Sequence, residues 1–330
     1  MLVVLSCFVT KLLNMKYILG NNNVSWFLLY LLKDTKLILH KTLDTLDYNA
    51  GPEIIQPSLV NIIKSEFEDV IVSEFERFYD DRGKQTSVQP KNFGKLYSLY
   101  TRGKTITEDS YKNTYSKYEK YVSINGLGPE DSYRLFFKKI KESANKNTID
   151  SSIKSIEVSG NIHLETESLQ FERIISTMNI VDLAELDSSG NIRDSIVNNN
   201  SLEGFDLPYN DRFIYVCSLE SHEDKTLSKL YKQVLVTGKP YYKKTYMKDN
   251  IIIESMRNIY QKDIEGNTII NYTESTQISD NLNINKCMGI DLVGKFSEWN
   301  ENTTLETIYF RAKQLQEFYN NIENNHKKVL

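Results

Sequence analysis

This sequence is poor in the residues that build metal sites, disulfides and linkers. Its three cysteines, Cys7, Cys217 and Cys287, are widely separated and odd in number. Neither a disulfide framework nor a zinc spacing can be assembled from them, so a reducing, cytoplasmic setting is the expectation. The four histidines, His40, His163, His222 and His326, show no ligand spacing, which argues against a structural metal. With 14 glycines and 6 prolines in 330 residues, a linker-rich or disordered chain is excluded. A formal net charge of -4 gives no basis for nucleic-acid binding driven by bulk charge. The apolar run from Leu2 to Val9 is too short to span a bilayer and lacks a basic leader and a small-x-small cleavage site. Residues 1–14 are therefore read as an extension ahead of Met15, and no membrane partner is expected. There is no Ser-His-Asp order, no P-loop and no carboxylate pair at a persuasive spacing, so a hydrolase or a kinase has no support.

What is present is an ordinary globular composition, 40% hydrophobic and 25% charged. The length suits one large or two interleaved domains. Tyrosine is abundant at 21 residues, and asparagine occurs in runs such as Asn21–Asn23 and Asn198–Asn200. Together with many Lys and Ile, this is the bias of an AT-rich genome, and a viral source fits it.

The most informative stretch lies between Met15 and Thr42. Lys16-Tyr17-Ile18-Leu19 reads as a short apolar strand and Gly20 to Ser25 as a polar turn. The apolar run Trp26 to Leu32 reads as a buried helix, and Leu37-Ile38-Leu39 as a second strand. This β-α-β unit has the size of a dinucleotide-binding half-fold, with its turn where a pyrophosphate is held. The glycine pattern of that turn is altered. Gly20 keeps the first position, which permits the sharp turn. Asn22 stands at the second, where the backbone must approach phosphate, and Ser25 at the third, where helix and strand pack closely. Ser25 is expected either to cap the helix or to bind phosphate through its hydroxyl. His40 occupies the position of the acid that would grip a ribose hydroxyl.

Further along, Ala50-Gly51-Pro52 signals a turn, and Pro57 to Phe67 a helix. Val70 to Phe78 has strand character, and Asp80-Asp81-Arg82-Gly83 turns it into a partner strand over Gln85–Val88. Tyr97, Tyr100, Tyr111, Tyr115, Tyr118 and Tyr121 recur through a polar region read as helical as far as Ala144. They form either the packed edge of a helical layer or an aromatic wall for a planar substrate. Tyr97, Tyr100, Arg102 and Lys104 mix basic and aromatic character, which suits a phosphorylated or nucleotide-like substrate as well as a solvated helix face. Ile153–Val158 and Ile162–Glu167 make a hairpin, which leads into the strand Phe171–Thr177. Strands follow at Phe213–Leu219, Tyr241–Tyr246, Ile251–Glu254 and Thr268–Tyr272, and an amphipathic helix closes the chain from about Leu305 to Asn324. In Lys239–Tyr246, strict alternation would place Tyr242 and Lys244 on one face and Tyr241 and Lys243 on the other.

Taken in order, the first β-α-β unit, the mid-chain hairpin, Ile174-Ile175-Ser176-Thr177 and Gly294-Lys295-Phe296-Ser297-Glu298-Trp299 resemble a known pattern. They are similar to the flavoproteins related to UDP-galactopyranose mutase, protoporphyrinogen oxidase and the flavin amine oxidases. The resemblance implies an α/β fold, with a Rossmann-like FAD-binding domain assembled from about 15–75, 150–187 and 285–330. An antiparallel-sheet-plus-helix substrate domain would comprise 76–149 and 188–284. It implies FAD held by Gly20, Asn22, Asn23, Ser25, His40, Thr177, Gly294, Lys295, Phe296, Trp299 and Thr304. A small-molecule substrate would lie near Tyr97, Tyr100, Arg102, Tyr242 and Lys244. Where the group has arginine, Lys295 keeps the charge and loses the planar fork. Thr303 and Glu306 are read as a capping box opening the last helix, whose N-terminus would stabilise charge on a reduced flavin. The activity implied is that of an FAD-dependent oxidoreductase. The alternatives are a scaffold that has lost its cofactor and now binds or assembles, and a nucleotide-sugar or modified-nucleotide enzyme that uses flavin without net redox change.

Overall fold

The computed structural model describes residues 16–32, 34–40, 70–74, 76–102, 120–124, 129–171, 173–218, 232–246, 250–264, 267–278, 281–284, 290–298, 303 and 305–329. The extension at 1–14, the turn at 50–52, the helix expected over 57–67, and Tyr111, Tyr115, Tyr118, Trp299 and Thr304 lie outside these residues. So do the side chains of Tyr100 and Arg102. The fold is mixed α/β and divides into two compact units. The first draws on residues within 1–47, 136–207 and 281–330, the second on residues within 48–135 and 208–280.

The first unit is built on a five-stranded sheet, every neighbouring pair of it parallel. Strand β1 (Lys16–Leu19) is buried along its whole length and pairs with β2 (Thr35–Ile38) through helix α1 (Asn23–Leu31). Such a crossover puts a helix over the sheet, which is why α1 can be apolar all round and bury Trp26, Phe27, Leu28 and Leu29. The sheet is extended on one side by β7 (Thr148–Ile149), and on the other by β11 (Arg173–Ser176) and β17 (Ile290–Leu292), giving the order β17-β11-β1-β2-β7. Successive strands leave β1 in opposite directions, so the sheet has a topological switch point between β1 and β11. Ligands of open α/β sheets bind at the carboxyl ends of the strands beside such a point. The hairpin strands β8 (Ile153–Glu157) and β9 (Asn161–Leu164) form as the sequence indicates, and β10 (Ser168–Gln170) adds a third strand to them. Helices α4 (Ile180–Leu186) and α5 (Asn191–Asn200) follow β11, and α6 (Leu305–Val329) closes the chain. The start of the sheet holds α6 through polar contacts. Tyr319 donates to Asp291 at 3.2 Å, Arg173 Nε lies 3.4 Å from the same carboxylate, and Lys16 Nζ sits 4.5 Å from the Tyr319 ring centroid.

The second unit is mainly antiparallel. Val70–Phe78 is not one strand: β3 (Val70–Glu74) pairs with β6 (Lys120–Ile124), while β4 (Glu76–Asp81) enters a different, seven-stranded sheet. The expected continuous helical region to Ala144 is also interrupted. Helix α2 (Phe93–Arg102) and helix α3 (Pro129–Ala144) are separate, and Tyr121 lies in β6 opposite Ser73. The segment Lys-Tyr-Val-Ser-Ile favours a strand because its aromatic and β-branched side chains suit a pleated surface. Besides β4, the large sheet contains β5 (Lys84–Thr86), β12 (Tyr209–Ser218), β13 (Lys232–Thr237), β14 (Lys243–Tyr246), β15 (Asn250–Ser255) and β16 (Ile269–Ile278). Their order across it is β16-β12-β15-β14-β13-β4-β5. β4 and β5 are joined by Arg82-Gly83, both at positive φ (54° and 90°), the backbone of a tight two-residue hairpin turn.

Candidate cofactor site

Three neighbouring strands of the parallel sheet end in the motifs singled out in the sequence. Gly20 follows β1, Thr177 follows β11, and Gly294 comes two residues after the last residue of β17. Gly20 has φ +141°, and a Cβ added to it would lie 2.3 Å from Thr177 Oγ1. Both the backbone angle and the space demand glycine here. The turn is tied to β11 from both sides. Thr177 donates its N–H and its hydroxyl to the Leu19 carbonyl, each at 3.0 Å, and its own carbonyl accepts from Asn22 Nδ2 at 2.8 Å. The Thr177 hydroxyl therefore serves the turn.

The altered glycine positions make a helix cap. Asn22 is the N-cap of α1, its Oδ1 accepting the Ser25 N–H at 3.0 Å, while Ser25 Oγ accepts the Asn22 N–H at 3.0 Å and donates to the Asn22 carbonyl at 2.7 Å. Of the two roles expected of Ser25, the cap is the one that forms. Ser25 is the reciprocal partner of the cap, fully buried, and its hydroxyl is already committed on both sides, so it cannot also bind phosphate. The cap leaves the N–H groups of Asn23 and Val24, which have no acceptor within the helix, at the positive end of its dipole. These two donors suit an anion, and the turn fits a pyrophosphate through them rather than through the Ser25 hydroxyl. His40 lies just past β2, as expected, and its Nδ1 accepts the Ile153 N–H at 3.1 Å, tying the end of β2 to the start of β8.

The late segment returns to the same place. Gly294 has φ +117°, and a Cβ added to it would meet Val24 of α1 at 3.5 Å. Val293 N–H and Ser297 Oγ both donate to the Ser176 carbonyl, at 2.9 and 2.7 Å. Glu298 N–H closes a turn onto the Gly294 carbonyl at 2.8 Å, and Ile180 N–H takes the Phe296 carbonyl at 3.1 Å. Lys295 and Phe296 are half-buried in this turn. Helix α6 begins at Leu305, which places Thr303 outside the N-cap position, and its hydroxyl donates to Glu298 Oε2 at 2.8 Å. Thr303 thus braces the Gly294–Glu298 turn.

Glu298 was not among the expected site residues, although it belongs to the late motif. Burial pushes its carboxyl above the ordinary value of 4.5, partly offset by the Thr303 hydroxyl, by Arg311 and by the Gly294 backbone. Because the folded value is the higher one, this group's contribution to stability is complete below about pH 4.5 and is lost as the pH rises through the folded value. Glu298→Gln is therefore expected to flatten the stability profile just above pH 4.5 and to cost nothing at neutral pH, as measured by urea unfolding across pH.

The residues expected to hold substrate are in the second unit. Tyr97 is buried on α2, stacked on Phe93 at 5.9 Å and edge-on to Tyr242 at 5.9 Å, which is the packed arrangement rather than an open wall. Strict alternation in Lys239–Tyr246 fails. Lys243 is the cross-strand partner of Glu254, and Tyr242 N–H also donates to the Glu254 carbonyl at 2.9 Å, so two residues oppose one. This bulge turns Tyr242 and Lys243 to the same side. Lys244 instead joins Tyr241, its Nζ 5.1 Å from the ring centroid.

No family model matches this chain, and no curated protein matches it in sequence. Solved structures do match in fold. Reduced UDP-galactopyranose mutase superposes with a TM-score of 0.64 at 10% identity, over 94% of this chain and 96% of that one. A CLA-producing fatty acid isomerase from P. acnes gives 0.61 at 9% identity, over 92% and 97%. A flavin-dependent halogenase from Xanthomonas campestris gives 0.53 at 10% identity, over 93% and 71%. The fold is that of the Rossmann-type flavoproteins. The first β-α-β unit, the hairpin and the late glycine segment therefore belong to one known architecture. Among the described residues no helix is long and apolar enough to cross a membrane.

Proposed function

We propose that this protein is an FAD-dependent oxidoreductase of the amine-oxidase and mutase-like group, acting on a small molecule. The observation that carries the reading is the convergence of Gly20, Thr177 and Gly294 at the carboxyl ends of β1, β11 and β17. Gly294 packs against the first turn of α1 although more than 270 residues separate it from Gly20. One extended cofactor accounts for that arrangement, with its pyrophosphate at the Asn23 and Val24 N–H groups and its ring towards the late segment. Gly20 and Gly294 let the backbone come close, Lys295 supplies positive charge, and Asn22 and Thr177 hold the turn rigid. When bound, the flavin would carry the hydride or electron chemistry, and these residues would orient it. The scaffold that has lost its cofactor is the less favoured reading, because the substitutions at Asn22 and Ser25 are absorbed as a cap and leave the turn formed.

The test is direct. Protein purified without added flavin is expected to be yellow, or to take up FAD in a titration with visible absorption near one equivalent. Asn22→Gly, which gives up both the cap to the Ser25 N–H and the bond to the Thr177 carbonyl, is expected to cost about 1–2 kcal/mol in urea unfolding and to weaken FAD binding. A colourless protein that takes up no FAD in the titration would sink the reading.

A further inference from the structure

Helix α6 buries one face and leaves two aromatic rings on the other. Leu305, Ile308, Tyr309, Ala312, Leu315 and Tyr319 are buried, at the three- and four-residue spacing of a single helix face. At about 100° per residue the opposite face carries Thr307, Phe310, Gln314, Phe318 and Asn321. All five are exposed, and Phe310 and Phe318 keep 48% and 45% of their surface. Tyr309 stands edge-on to Phe310 at 5.6 Å, and the Arg173 guanidinium lies 4.7 Å from the Phe318 centroid, yet nearly half of each residue stays open. Single exposed rings are ordinary on a protein surface. These two are aligned on one helix face, about 12 Å apart along its axis, and charged residues flank them on both sides. Lys313 and Glu317 lie on one flank and Arg311 on the other.

We propose that this face of α6 docks on the same face of a second copy of the chain, the two helices antiparallel about a two-fold axis at Gln314. The face is self-complementary about that residue, as a two-fold contact requires. Phe310 comes four residues before Gln314 and Phe318 four after it, so each Phe310 meets Phe318 of the other copy. Thr307 and Asn321, seven residues away on either side, meet in the same way. The charges match as well. This two-fold brings like flanks together, which sets Lys313 within about 3 Å, along the axis, of Glu317 in the other copy. Symmetry makes that pair twice. In the single chain Lys313 rests on the Tyr309 ring, 4.9 Å from its centroid, at the edge of the same face. The two copies of Arg311 stand about 9 Å apart along the axis, each with Asp291 of its own chain at 3.9 Å. Parallel helices would instead set Lys313 beside Arg311 of the other copy, two like charges. The seam from Thr307 to Asn321 is about 21 Å long, short for a permanent dimer, so the association is reversible and depends on concentration. The inference makes no use of the flavin.

Sedimentation velocity of the full chain across a wide concentration range is the experiment, and a shift from monomer to dimer is expected as the concentration rises. Phe310→Ser should weaken the dimer at least tenfold, since buried aromatic anchors dominate such contacts. Tyr260→Ser, at an exposed tyrosine of the second unit, should change nothing. Lys313→Glu alone should weaken the dimer at least threefold, and adding Glu317→Lys should restore it, which a general loss of α6 would not do. Cross-linking gives a second readout. Gln314→Cys, at the two-fold axis, should form a disulfide between copies under mild oxidation. Thr307→Cys, which the axis holds about 21 Å from its own mate, should not. The wild-type chain, with Cys7, Cys217 and Cys287, sets the background. A chain that stays monomeric at every concentration would overturn the proposal. So would a dimer indifferent to Phe310→Ser, a charge swap that fails to restore, or Thr307→Cys cross-linking as readily as Gln314→Cys.

Discussion

Gly20→Ala is expected to destabilise the first unit by about 3 kcal/mol and to abolish FAD uptake, the larger part of the effect coming from backbone and steric strain in the turn. The Gly20 φ of +141° lies where L residues are rarely found, and the new Cβ would stand 2.3 Å from Thr177 Oγ1. Neither penalty is easily relieved. Thr177 is fixed by its N–H and hydroxyl bonds to the Leu19 carbonyl, and Asn22 holds its carbonyl. Urea unfolding followed by a probe in the first unit measures the loss. Thr177→Ala alone gives up one hydroxyl bond, about 1 kcal/mol. The double variant removes the atom that the new Cβ would strike, so it should be more stable than the sum of the single changes predicts by at least about 1 kcal/mol. Strict additivity would show that Thr177 does not confine the turn, and a Gly20→Ala protein as stable as wild type would refute the turn itself.

The contrast between Gly20 and Ser25 shows what was legible in the sequence. The β-α-β unit is visible because its elements are short, apolar and bounded by a polar turn, and the structure forms it over Lys16–Ile38. The consequence of the substitutions was harder to read. Asn and Ser at the second and third glycine positions look like losses when judged by phosphate approach alone. The spacing Asn22-x-x-Ser25 is also that of a reciprocal cap, and that use prevailed because a helix start buried behind a strand must satisfy its own donors. The late helix starts later than its spacing suggests. Thr303-x-x-Glu306 has the spacing of a cap, yet α6 starts at Leu305 and Thr303 turns to Glu298. A four-residue signature does not fix a helix boundary to the residue when a nearby carboxylate competes for the hydroxyl.

The second unit was less legible because its key contacts cross strands far apart in the chain. One signal was available. Ile251-Ile252-Ile253-Glu254 sets a carboxylate at the end of a fully apolar run, and a carboxylate buried there needs a cation supplied from elsewhere. Which cations would come depends on the pairing of β12, β14 and β15, and on the bulge that brings Tyr242 beside Lys243. Strict alternation predicts the wrong lysine, and no periodicity in Lys239–Tyr246 announces a bulge. Arg212, between Asp211 and Phe213, gives no sign of its own.

Glu254→Gln is expected to be the most destabilising change in the second unit, at about 3–5 kcal/mol, because it leaves Arg212 and Lys243 without their counter-charge in a largely desolvated place. Replacing all three together, Arg212→Met with Lys243→Met and Glu254→Leu, should cost far less or even stabilise, since a desolvated ion cluster gains little over apolar packing of similar volume. Thermal unfolding of the two variants gives the comparison, and the order of their melting temperatures decides it. Acid adds an independent reading. Burial by itself would raise the Glu254 carboxyl, but Arg212 and Lys243 outweigh it and hold the group below its ordinary value of 4.5. With the folded value the lower one, the stability it contributes is complete above about pH 4.5 and is lost as the pH falls through the folded value. Wild type should therefore lose stability below pH 4.5 more steeply than the triple variant, which has no carboxylate there to protonate. Parallel acid profiles for the two proteins would mean that the Glu254 cluster is not ionised as the geometry requires.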